Sequence, residues 1–295
     1  MTDIHTAATA ITISVAGYEL AALHKAATAS DKETKPPRLL CIHGWLDNAN
    51  SFVPLLPHLD HYEIVAIDLP GHGHSSAIDA NAYYNVAEAA LLLPRIVEAL
   101  NWQHCHLIGH SLGGNLGVIA TAAASGHFES LTLLEALGPL TEQADQLPAR
   151  LAKALEHRMQ PQRFQTRTFE NPQQAVESRL AAAKMSQQAA ELIIDRQLVA
   201  AKESDGWQWR FDPKHRMASP AYLSEEQVCA LLASITLPIL VVLANDGYLD
   251  NRPETPARLS SIPHLQKANV AGNHHMHMDD PEPTARLIRD FLSDI

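Results

Sequence analysis

Residues 105–124 read CHLIGHSLGGNLGVIATAAA, and the fold turns on how this stretch is divided. Residues 105–108 are a short apolar run of the kind that forms a buried strand, and residues 112–124 form an Ala-rich helical run. Between them, Gly109-His110-Ser111-Leu112-Gly113 fits the pattern Gly-x-Ser-x-Gly with a strand before it and a helix after it. A serine at such a sharp turn has a strained backbone, and side chains two residues to either side would collide. The turn lifts Ser111 to the end of the sheet, above a helix N-terminus whose dipole favours developing negative charge.

Working outward, short apolar runs alternate with helical ones. Residues 11–15 and 20–24 read as an antiparallel hairpin around Gly17-Tyr18, followed by a polar linker at 30–37. Residues 38–42 form an apolar run ending in His43-Gly44, and residues 63–67 another ending in Asp68-Leu69-Pro70-Gly71. A helix over 86–100 precedes the decisive stretch, and a strand over 130–134 follows it. This alternation predicts a mostly parallel α/β sheet covered on both faces. From Pro139 to about Pro220 the pattern changes to amphipathic helical stretches at 149–159, 172–185 and 186–201, then a loop-like aromatic stretch at 207–213. Strands resume at 238–244 and 265–270, and a helix over 283–294 closes the chain. The expectation is one core in two parts, 1–138 and 221–295, interrupted by a helical cap insertion at 139–220. No internal repeat or low-complexity tract interrupts this scheme.

The composition narrows the function classes. The 295 residues are 46% hydrophobic and 19% charged, enough to bury a core without metals or disulfides. With 22 Lys+Arg against 33 Asp+Glu the net charge is −11, which disfavours phosphate backbones and anionic membrane surfaces. The expectation is no nucleic acid and no membrane partner. Cys41, Cys105 and Cys229 are an odd number without CxxC spacing, and two of them sit in apolar runs, which fits a reducing compartment. No basic start with an apolar stretch opens the chain, and no apolar segment approaches the ~20 residues of a membrane span. The chain is therefore expected to be cytoplasmic.

With the turn at Ser111, the stretches LCIHGWLDNA at 40–49 and DLPGHGHSS at 68–76 make the chain resemble the α/β-hydrolase family, and within it the serine hydrolase-like branch. The resemblance covers roughly residues 36–138 and 238–295, and it implies an eight-stranded sheet flanked by helices. It also implies an oxyanion hole formed by the backbone N–H groups of Trp45 and Leu112, each worth about 3–4 kcal/mol in comparable chemistry. The family's glycine–x–His pattern, with a proline seven residues on, selects His274 as the base. His277 falls where a second, non-catalytic histidine often sits, His43 shapes its loop, and Asp68 to Ser76 form a structural loop. A metal site is a rival reading of His274, His275, His277, Asp279 and Asp280, but their spacing matches no familiar zinc pattern, so none is expected.

The triad acid is where the chain departs from the common pattern. Counting from Pro238 puts Gly247 where many relatives carry an aspartate, with Asp246 one residue early. The alternative family position, after the preceding strand, holds Glu135. A carboxylate ending an apolar strand is costly to desolvate unless paired, which favours Glu135 over Asp246.

The resemblance implies a serine hydrolase that cleaves small to medium carboxylic esters through an acyl-enzyme, without cofactor or metal. Serine rather than aspartate at 111 argues against haloalkane dehalogenase and epoxide hydrolase chemistry. Two alternatives stand: a carbon–carbon bond hydrolase of the meta-cleavage type using the same residues, and a catalytically silent hydrolase-like binding protein. A cap would exclude water and select the acyl substrate, with Met159, Met185, Trp207, Trp209 and Met217 lining a pocket or simply packing.

Overall fold

Each central strand carries apolar residues on both its faces, and a period of two sends them to two separate cores. In β3 (Arg38–Ile42), Leu40 and Ile42 join one core while Leu39 and Cys41 join the other. The same division holds for β4 (Glu63–Ile67), where Val65 and Ile67 oppose Ile64 and Ala66. The computed structural model describes residues 8–28, 36–201 and 205–295, so most of the 30–37 linker lies outside the described residues.

The chain opens with β1 (Thr9–Val15) and β2 (Tyr18–Lys25), an antiparallel hairpin longer at each end than the sequence pattern marked. After β3 and β4 come α1 (Val86–Ala99), β5 (Cys105–His110), α2 (Leu112–Ala123) and β6 (Phe128–Leu134). Residues 139–220 hold α3 (Leu147–Met159), β7 (Thr168–Phe169), α4 (Pro172–Ala182), α5 (Gln187–Gln197), β8 (Leu198–Ala200) and β9 (Trp207–Trp209). The remainder is α6 (Glu225–Ser234), β10 (Ile239–Ala244), α7 (Thr255–Ser260), β11 (Leu265–Val270), α8 (Met276–Asp279) and α9 (Pro281–Ser293).

The eight-stranded sheet runs β1-β2-β4-β3-β5-β6-β10-β11, parallel from β4 onward. Helices α1, α2 and α6 cover one face, and the segment Ala49–His58 with α9 covers the other. From β3 the chain crosses first to β4 and later to β5 on the opposite side. Such a reversal leaves a crevice at the carboxyl ends of the strands, where open α/β sheets bind ligands. Cys41 and Cys105 are buried free thiols in β3 and β5, and burial pushes both pKa values up. Among the described residues, no helix is long and apolar enough to cross a membrane.

The segment 139–220 is less helical than expected. Residues 207–209, read as loop, form the middle strand of a three-stranded antiparallel sheet β7-β9-β8, and the helix expected over 186–201 stops at Gln197 to enter β8. Strands of two or three residues are too short to show a period, and only their pairing makes them strands. Trp209 packs edge-on against Phe169, and Met185 lies beside it in the segment's own small core. Met159 and Trp207, at 72% and 38% exposure, are open to solvent.

Candidate active site

The residues of the Gly-x-Ser-x-Gly turn pack as their sizes require. Ser111 links β5 to α2 at φ 51 and ψ −113, a conformation that L-residues rarely adopt. Its N–H donates to the Leu134 carbonyl at 2.9 Å, fastening the turn to the end of β6. A Cβ on Gly113 would lie 2.0 Å from the Ile42 carbonyl oxygen, so α2 passes β3 this closely only without a side chain there. The N–H of Leu112 opens α2 and has no acceptor within the helix.

Register relates the second N–H to the first. Ile42 pairs with Gly109, so Trp45 and Leu112 each stand three residues beyond a matched pair of neighbouring strands. Trp45 is 51% exposed, and its indole N–H donates to the His215 carbonyl at 3.2 Å. Behind it, His43 accepts the Leu69 N–H at 3.0 Å and donates from Nδ1 to the Gly44 carbonyl at 2.7 Å. His43 thus ties the turn after β3 to the turn after β4.

His274 and Glu135 meet, although 139 residues separate them in the chain. His274 Nδ1 stands 3.3 Å from Glu135 Oε2, and the carboxylate also accepts the N–H groups of Ala244 at 2.8 Å and Tyr248 at 2.9 Å. Burial alone would raise the Glu135 pKa, but the His274 ring and those two N–H groups outweigh it and hold the carboxyl ionised below its usual range. Burial pulls the His274 pKa below the ordinary histidine value, against the opposing pull of Glu135. Asp246 is exposed, and among the described residues its carboxylate has no hydrogen bond, while its N–H donates to the Gly272 carbonyl at 3.0 Å. Glu135 itself sits at φ 47, a second left-handed residue one strand away from Ser111.

The His110 ring lies 4.7 Å from the His274 ring, and the next residue in the chain is Ser111. Among the described residues, no hydrogen bond joins the Ser111 hydroxyl to His274; catalytic contacts of this kind often tighten only with substrate bound. His277 is fully buried against Phe52 and His110, and neither ring nitrogen has a partner among the described residues.

Several polar pairings between the segment 139–220 and the core were not anticipated by the sequence reading. Asp47 pairs with Arg179 of α4, and the Nε–H of Arg196 of α5 is shared between the two Asp68 oxygens at 2.9 and 3.0 Å, while the same carboxylate accepts the N–H groups of Ala49 and His74. Asn48 donates to the Ile193 carbonyl at 2.8 Å, and Asn50 to that of Leu192 at 2.9 Å. His215 bonds the Pro70 carbonyl at 3.0 Å and stacks on Tyr84 at 3.5 Å; burial lowers its pKa to about 4. In sequence, Arg179 and Arg196 look like the solvent faces of amphipathic helices, and no local spacing links them to Asp47 or Asp68.

Known proteins share this architecture. Residues 37–281 match the family described as alpha/beta hydrolase fold. A serine hydrolase-like protein of Danio rerio is 30% identical, over 86% of this chain and 81% of its own length. Serine hydrolase-like protein 2 of Homo sapiens is 29% identical over 91% of this chain and 90% of its own. A crystal structure of a hypothetical protein from Pseudomonas aeruginosa PAO1, 32% identical, superposes with a TM-score of 0.88 over 96% of this chain and 99% of that one.

Proposed function

We infer the activity of this chain from the α/β-hydrolase family, to which it belongs, and propose that it is a serine hydrolase cleaving small to medium carboxylic esters through an acyl-enzyme on Ser111. His274 takes the Ser111 hydroxyl proton as the oxygen attacks the ester carbonyl. The negative charge that develops on the carbonyl oxygen is held by the N–H groups of Trp45 and Leu112. His274 then gives its proton to the leaving alcohol, and water activated by the same ring releases the acid. Glu135 holds the Nδ1–H tautomer and stabilises the imidazolium that forms at each step.

The observation that carries this reading is the His274–Glu135 pair, with Glu135 anchored by two backbone N–H groups, together with a serine held at φ 51 on the strand-to-helix turn directly after His110, whose ring lies 4.7 Å from that of His274. The segment 139–220 acts as a cap over this crevice. Its support is the set of buried bonds from α4 and α5 to Asp47, Asn48, Asn50 and Asp68, together with the Trp45–His215 contact.

A fluorophosphonate probe and a series of aryl esters of increasing acyl length test the proposal. Labelling of Ser111, with loss of both labelling and ester turnover in Ser111→Ala, is the expected result. A folded wild-type protein that neither reacts with the probe nor cleaves any ester of the series overturns it.

A further inference from the structure

Beside the proposed triad, Asp47, His110 and His275 bring one carboxylate oxygen and two imidazole nitrogens within 4.8 Å of one another, all buried. Asp47 Oδ2 lies 3.6 Å from His110 Nδ1 and 3.6 Å from His275 Nε2. The bonds on the far side of each ring fix what these nitrogens carry. His110 Nε2 is 2.9 Å from the His274 carbonyl, and His275 Nδ1 is 3.3 Å from the Lys184 carbonyl. A carbonyl oxygen only accepts, so both of those nitrogens bear the proton. In the neutral rings, His110 Nδ1 and His275 Nε2 therefore turn bare lone pairs toward a carboxylate. With both rings neutral three acceptors face one another, and among the described residues His110 Nδ1 has no hydrogen-bond partner.

We propose that Asp47, His110 and His275 form a binding site for a divalent transition metal of the zinc class. Zinc ligands at about 2.0–2.1 Å in a tetrahedral arrangement stand roughly 3.3–3.4 Å apart, close to the two separations of 3.6 Å. Two imidazoles with one carboxylate suit zinc, cobalt or nickel, whereas calcium and magnesium take oxygen ligands. A backbone carbonyl on the second nitrogen of each histidine is the usual outer support of a metal-bound ring, and both rings have one. Arg179 bonds the other oxygen of Asp47, which leaves Oδ2 for the ion. Gly44 keeps the space open, since a Cβ there would stand 2.9 Å from both Asp47 Oδ2 and His110 Nδ1.

The three ligands come from the turn after β3, the end of β5 and the loop carrying His274, so one ion would tie those segments together. Ser111, His274 and Glu135 are not ligands, and the site stands whether or not Ser111 is a nucleophile.

Chelator-treated full-length protein titrated with Co²⁺ alone tests the site by the visible ligand-field absorption of the bound ion. One equivalent is expected to bind with the intensity of four- or five-coordination, to be displaced by Zn²⁺, and to raise the unfolding temperature. Asp47→Asn and His275→Gln, each checked for folding by near-ultraviolet circular dichroism, should weaken binding by more than the roughly 10–100-fold that follows loss of an outer-sphere partner. The variant His104→Ala, which removes an exposed histidine beside Glu129, should bind as wild type does. Absence of stoichiometric Co²⁺ binding in wild type, full binding in a folded His275→Gln, or loss of binding in His104→Ala overturns the proposal.

Discussion

The ends of β6 and β10 lie side by side and are built in opposite ways. β6 runs into Glu135, a buried carboxylate at φ 47, whose N–H donates to the Val242 carbonyl of β10 at 3.0 Å. β10 runs into the exposed pair Asn245-Asp246 and then Gly247. A Cβ on Gly247 would fall 2.3 Å from Glu135 Oε1, so the carboxylate from β6 fills the room that a side chain on β10 would need. Gly247 is not in the left-handed region, and space rather than backbone conformation is what makes it glycine. The β10 end supplies the N–H groups of Ala244 and Tyr248, and the β6 end supplies the charge they hold. Of two strand ends that could carry the acid, one can do so only if its neighbour gives up its side chain.

The sharpest way to break this contrast is Glu135→Gln, which keeps the volume and removes the charge. Its kcat on an aryl ester should fall by roughly 10⁴-fold, as in the equivalent change of a serine-protease triad, with little change in the far-ultraviolet spectrum. A loss below tenfold would remove Glu135 from the mechanism. Gly247→Ala comes next, since its methyl group must displace the carboxylate; misplacement on the order of 1 Å corresponds to about a 10²-fold loss. Moving the acid across tests the reciprocity directly. Glu135→Gly/Gly247→Asp should recover roughly tenfold of the activity lost in Glu135→Gly, because glycine accepts φ 47 and vacates the space.

A smaller effect concerns pH. Burial lowers the His274 pKa and Glu135 opposes it, while the proposed mechanism needs the neutral ring. The acid limb of kcat/KM in chelator-treated wild type should therefore lie below pH 6.5. In Glu135→Gln it should lie lower still, since the group that stabilises the imidazolium is gone. The least effect belongs to Asp246→Asn, whose exposed side chain touches neither His274 nor Glu135: kcat/KM should stay within about twofold of wild type. A large loss there would return the acid to β10.

How much could be read in advance follows from how local each signal is. Ser111 sits in five residues of its own pattern, and His274 in a glycine–x–His turn, so neither needs a distant partner to be noticed. Glu135 was half legible: a charge closing an apolar strand demands a partner, but the chain does not say that the partner is 139 residues away. The short strands β7, β8 and β9 had no period to show, and a loop was read where Trp207–Trp209 forms the middle strand. Asp47, Arg179, Arg196 and His275 gave no local sign of belonging together.

By itself, the order of apolar runs and the glycines around Ser111 determined an α/β sheet with a serine raised on a strand-to-helix turn. Period-two burial and close backbone approach act over a few residues and leave a written trace. Which carboxylate stands behind His274, and which acceptors face one another around Asp47, was decided only in three dimensions. Coulombic and steric contacts depend on distance in space, and the crossovers between strands make that distance independent of position along the chain.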